Sequence, residues 1–95
     1  MRRIHIGTSG IEASAMTIGT WEMGGGTSWG GWGARDESEY LKVLHAAPDL
    51  GVDFIDTAPV YGTGHSEELI GRALAGRRSR YVISTKCGIH WRDAD

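Results

Sequence analysis

Ninety-five residues suffice for one small domain and no more. A net charge of −2, with 40% apolar and 23% charged residues, fits a soluble globular chain and gives no electrostatic basis for binding nucleic acid or an anionic membrane. No apolar run approaches the ~18 residues that span a bilayer, no signal-peptide core follows Arg2 and Arg3, and the single cysteine, Cys87, has no internal partner. The expected compartment is the cytoplasm.

Residues 3–6 and 11–14 flank a turn with Gly7 and Gly10 at its ends, which predicts an amino-terminal hairpin. Residues 15–20 form a short strand candidate. Glycine is about twice its usual ~7% share, at 15 of 95 residues. Six of these glycines fall between residues 24 and 33, in a loop over 22–35 that also carries Trp29 and Trp32. Loops of this length inside compact domains are often functional.

Residues 36–50 read as a helix. Asp36 can cap it while Glu39 reaches back, and Tyr40, Leu41, Leu44 and Ala47 make an apolar stripe at helical spacing. Gly51 is the C-terminal cap. Pro48 removes a backbone donor and crowds the carbonyl four residues back, so the last turn is expected to kink or fray. Residues 52–56 form a strand. Ser66 is the expected cap of a second helix, with Glu67 and Glu68 in its first turn and Leu69, Ile70, Ala73 and Leu74 on its apolar face. Gly71 in mid-helix costs about 1 kcal/mol relative to alanine, which suggests close packing on a sheet. Gly76 ends the helix, and residues 81–86 form the last strand. Arg72, Arg77, Arg78 and Arg80 cluster at the helix end, where cations complement the macrodipole; they read as solvated surface rather than a phosphate or partner site. After the hairpin, strands and helices alternate, which predicts a parallel sheet covered by helices.

Three residues in this pattern can carry chemistry. Strand alternation places Asp56 with Val52 and Phe54, and Lys86 with Val82 and Ser84. If the sheet curves into a barrel, both polar groups point inward at its carboxyl end, where such barrels place reactive groups. Tyr61 follows Asp56 by five residues, within reach of the same mouth. A tyrosine has a free pKa of about 10, and bringing it toward 7 requires about 4 kcal/mol. One cation about 4 Å away at an effective dielectric near 20 supplies about that much. Asp56 would keep the lysine charged and oriented, making Tyr61 a general acid for a carbonyl oxygen. The same residues are also compatible with a turn cap, a surface lysine and a packing tyrosine. Cys87 and His90 have a C-x-x-H spacing without a second ligand pair, so no metal site is expected. Gly62 and Gly64 lack the third glycine of a dinucleotide fingerprint.

Residues 51–74, with Asp56, Thr57 and Ala58 followed by Tyr61 and Gly62, closely resemble the aldo-keto reductases, as do residues 82–88 around Lys86. The hairpin turn over 7–14 and Ile18, Gly19, Thr20 and Trp21 also look like that family, particularly its bacterial stress-protein-like members. The resemblance covers nearly the whole chain except the glycine-rich loop. It implies a (β/α)8 TIM barrel of class α/β, with NADPH (NADP+) extended across its mouth and hydride transfer to an aldehyde or ketone. By motif, Tyr61 matches the proton donor, Lys86 its pKa-lowering partner and Asp56 the acid paired with that lysine. Gly19, Thr20 and Trp21, with Asp56, match positions at the nicotinamide end of the cofactor. Trp29 and Trp32 would border the pocket for a small-molecule carbonyl substrate; a packing role fits them equally.

The resemblance also marks departures. The family's fourth catalytic residue is a histidine after the next barrel strand, and His90 is too close to Lys86 to be that residue. The segments that hold the cofactor's phosphates come from the far side of the barrel. Residues 1–95 therefore read as the hairpin and the first β-α-β-α-β units of a barrel. A parallel sheet with one face and an edge open is expected to be marginal, inactive in isolation and prone to self-association. The alternative is a non-catalytic partial-barrel remnant or interaction module completed by a partner.

Overall fold

A computed structural model describes residues 1–21, 37–60 and 64–88. The chain opens with an antiparallel hairpin, β1 (Arg3–His5) and β2 (Glu12–Ser14), in which Ile4 faces Ala13. Three further strands, β3 (Thr17–Gly19), β4 (Phe54–Asp56) and β5 (Val82–Ser84), form a parallel sheet in the order β3-β4-β5. Helix α1 (Glu37–Ala46) connects β3 to β4, and α2 (His65–Ala73) connects β4 to β5. These are successive β-α-β crossovers, as the alternating pattern predicts.

Strand alternation sorts the sheet into two faces. Ile18, Ile55 and Ile83 stand in one row across it and pack against Leu44 of α1 and Leu69, Ile70, Ala73 and Leu74 of α2 or its end. Tyr40 and Leu41 cover this cluster, so both predicted helical stripes face the core. The opposite face carries Phe54, Asp56, Val82 and Ser84, all only half-buried. Tyr81 is buried, and its hydroxyl donates to Leu44 O at 2.7 Å, joining β5 to α1.

Several local expectations change. Helix α1 stops at Ala46, and Pro48–Leu50 continues as a 3-10 turn ended by Gly51 at φ 86°. The ring of Pro48 thus ends the α-helix rather than kinking it. Glu39 lies 3.4 Å from Lys42, while Asp36, its expected capping partner, is outside the described residues. Helix α2 starts one residue before Ser66; the N-cap is Gly64, at φ 99° with no side-chain cap. Ser66 is turned inward and bonds elsewhere. Gly71 is exposed, and a Cβ there would meet nothing within 4 Å among the described residues, so close packing within them does not explain it. It lines a groove of about 380 Å³ with Ile70, Leu74, Ile83 and Thr85. A second, mainly apolar groove of about 300 Å³ runs along β3 and α1, beside exposed Met16, Val43 and Leu50.

Arg72 pairs with Glu37 and Arg80 with Asp49, so these two members of the basic cluster join surface ion pairs. Among the described residues no helix is long and apolar enough to cross a membrane.

Candidate active site

The carboxyl ends of β3, β4 and β5 bring Gly19, Asp56 and Ser84 into register. Two residues beyond Ser84, Lys86 again faces the side of Asp56. Its Nζ lies 3.3 Å from Asp56 Oδ1 and 3.4 Å from Oδ2, and donates to Thr57 O at 2.9 Å. The side chains are 45% and 40% exposed, so the pair meets solvent and remains open to a ligand. Strand alternation therefore puts a carboxylate and an ammonium together across two neighbouring strands.

Gly19 is exposed, and a Cβ on it would meet nothing within 4 Å among the described residues. The strand end beside Asp56 is thus open backbone, a surface against which a planar ring can lie. Trp21 is 44% exposed two residues on. Thr20 differs: it is fully buried, and its hydroxyl donates to Asp56 O at 2.9 Å. Its side chain holds the end of β4, and its carbonyl oxygen lies 3.3 Å from Ser66 Oγ. Tyr61, Trp29 and Trp32 lie outside the described residues, as does His90.

Sequence reading missed the polar cluster beneath this surface. Ser66 Oγ is 2.9 Å from Thr20 Oγ1, 3.3 Å from Thr20 O and 3.0 Å from Thr57 Oγ1. All three residues are buried. The available signal was a threonine directly after each inward residue, in Gly19-Thr20 and Asp56-Thr57.

Two ion-pair groups frame the site. Glu37, the first residue of α1, meets Arg72 at 3.0 Å and His65 Nε2 at 2.6 Å. Arg72 and then His65 hold its carboxyl below the usual carboxylate range. At the opposite end of the sheet, Asp53 accepts from Ser14 N at 2.9 Å and from Arg3 at 2.8 Å, which docks the hairpin under β4. Burial alone would raise the Asp53 carboxyl, but the Ser14 amide and the Arg3 guanidinium outweigh it and hold it low.

Parallel strands backed by helices, with a carboxylate–ammonium pair at their carboxyl ends, define part of a β/α barrel with its polar rim. The chain belongs to the aldo/keto reductase family, whose model matches residues 15–95. Solved relatives in this family are (β/α)8 barrels, and the hairpin and parallel sheet correspond to part of one.

The chain is 42% identical over 95 residues to aldo-keto reductase YhdN of Bacillus subtilis, covering 98% of this chain and 28% of that protein. It is 41% identical over 92 residues to the NADH-specific methylglyoxal reductase of Escherichia coli, covering 96% of this chain and 28% of the other. It superposes on an aldo-keto reductase from Klebsiella pneumoniae in complex with NADPH with a TM-score of 0.65 and 33% identity, over 80% of this chain and 24% of that one. The chain thus spans about 28% of the length of these curated relatives.

Proposed function

We propose that this chain supplies the cofactor-facing rim of an oxidoreductase that reduces an aldehyde or ketone to an alcohol with a nicotinamide dinucleotide, NADPH being the proposed form. The observation that carries this reading is the ammonium of Lys86, held between Asp56 and the Thr57 carbonyl at the carboxyl ends of parallel strands. Family membership and the NADPH in the Klebsiella pneumoniae relative support it.

The open backbone at Gly19, with Trp21 and Asp56 beside it, fits the nicotinamide end of such a cofactor. When bound, the reduced ring supplies a hydride to the carbonyl carbon. The chain's own residues supply the proton. Asp56 keeps Lys86 charged and in place, and that charge favours ionisation of a neighbouring phenol. Tyr61, five residues past Asp56, is the proposed phenol. It gives its proton to the carbonyl oxygen, and the ammonium stabilises the phenolate left behind. Trp29 and Trp32 are proposed as apolar walls of the substrate pocket.

The test is cofactor oxidation at 340 nm by the protein at the length its source makes, with a panel of aldehydes and ketones and with NADPH and NADH side by side. Carbonyl-dependent oxidation, faster with NADPH, is the expected result. No oxidation of either cofactor by any carbonyl would sink the proposal.

A further inference from the structure

Three threonines occupy one row across the sheet. Gly19, Asp56 and Ser84 are paired in register, and Thr20, Thr57 and Thr85 are the next residue on each strand. All three hydroxyls bond to the same dipeptide at the start of α2. Ser66 Oγ is 2.9 Å from Thr20 Oγ1 and 3.0 Å from Thr57 Oγ1. Thr85 Oγ1 donates to Glu67 Oε2 at 2.8 Å.

Burying a hydroxyl is unfavourable unless it is paired, and Ser66 is fully buried without acting as the helix cap. What its hydroxyl does instead is join the ends of β3 and β4. Glu67 extends the same turn to the end of β5. Each threonine alternates with the residues on the opposite face: Thr57 follows Asp56, and Thr85 precedes Lys86. Fixing the outward row therefore fixes the inward one. The link is direct at Thr57, whose hydroxyl meets Ser66 while its carbonyl accepts from Lys86 at 2.9 Å.

We infer that Ser66 and Glu67 are positioning residues that clasp the ends of the three strands and so set the geometry of the Asp56–Lys86 pair; this rests on the reductase reading of that pair. They act through Thr57 and Thr85.

Glu67 is half-buried and Thr85 exposed, so substitutions there leave the core intact. Glu67→Gln and Glu67→Ala remove the same charge, but only glutamine keeps an oxygen that the Thr85 hydroxyl can reach. The readout is the titration of Lys86, followed by NMR of protein carrying carbon-13 lysine at the length its source makes. An ammonium that drifts from Asp56 and the Thr57 carbonyl has its charged form less favoured. Lys86 is expected to titrate at lower pH in Glu67→Ala than in Glu67→Gln. Thr85→Val, which changes no charge, is expected to move the midpoint the same way from the parent value. A role in stability alone would leave these midpoints together. Equal midpoints in the two Glu67 variants, or a higher one in Glu67→Ala, overturn the clasp. Absent carbonyl reduction with the midpoint difference intact would sink the reductase reading and leave the clasp standing.

Discussion

Lys86 Nζ lies 3.3 Å from Asp56 Oδ1, across a separation of 30 residues in the chain. The two side chains are 45% and 40% exposed, and ion pairs in such positions contribute only about 0–1 kcal/mol to stability. The pair therefore does little to hold the fold together, whereas a fixed ammonium at a barrel rim has a direct chemical use.

Asp56→Asn should separate these roles. Its urea midpoint is expected to show a loss of under about 1 kcal/mol. Carbonyl reduction in the same variant is expected to fall at least about tenfold, since acid–base contributions of this kind run to 10²–10⁴-fold. A large stability loss with unchanged turnover would make Asp56 structural.

Ser66→Ala should lower stability measurably. It removes the Ser66 partner of the buried Thr57 hydroxyl, while Thr20 keeps its bond to Asp56 O, and the loss costs about 1–3 kcal/mol. Ser79→Ala, at an exposed position, is expected to change stability by under about 0.5 kcal/mol. Thermal or urea unfolding of the two variants compares them directly. Equal stabilities would show that the buried hydroxyl cluster contributes nothing.

The crossovers, the helical stripes and the facing of Asp56 and Lys86 were legible because each follows from a period. Leu44 and Leu69 fall on helical spacing, and Ile55 alternates with Asp56. What the periods do not encode is where a short polar side chain sends its hydrogen bond. Ser66 sits where a cap is expected, yet Gly64 takes the N-cap position and Ser66 points inward. Gly71 suggests close approach, but among the described residues it borders open space. The docking role of Asp53 was equally invisible, since its partners Arg3 and Ser14 come from a hairpin about 40 or more residues away in the chain.

Asp53 gives a pH prediction with a definite sign. Its folded pKa lies below the ordinary value of 3.8, so the ionised form is the one that folding favours. The resulting stability is full above the unfolded value and is lost as pH falls through 3.8 toward the lower folded value. Urea midpoints of the parent and Asp53→Asn should differ by a constant amount from pH 7 to about 5 and converge below that. A difference that grows on acidification would contradict the assignment.

Two tyrosines should behave oppositely. Tyr81 is buried and donates to Leu44 O at 2.7 Å, so Tyr81→Phe leaves a buried carbonyl short of a partner. It is expected to lose about 1–3 kcal/mol of stability while carbonyl reduction below its unfolding temperature stays near the parent rate. Melting curves and turnover measured on the same sample check both halves.

The central claim is that Tyr61 delivers the proton beside the Lys86 charge. The most direct test is the paired measurement of cofactor binding and hydride transfer in Tyr61→Phe, in the protein at the length its source makes. Cofactor fluorescence should report unchanged affinity, while carbonyl-dependent oxidation at 340 nm should fall by at least about 10²-fold. Turnover equal to that of the parent would contradict the account and remove Tyr61 from the chemistry.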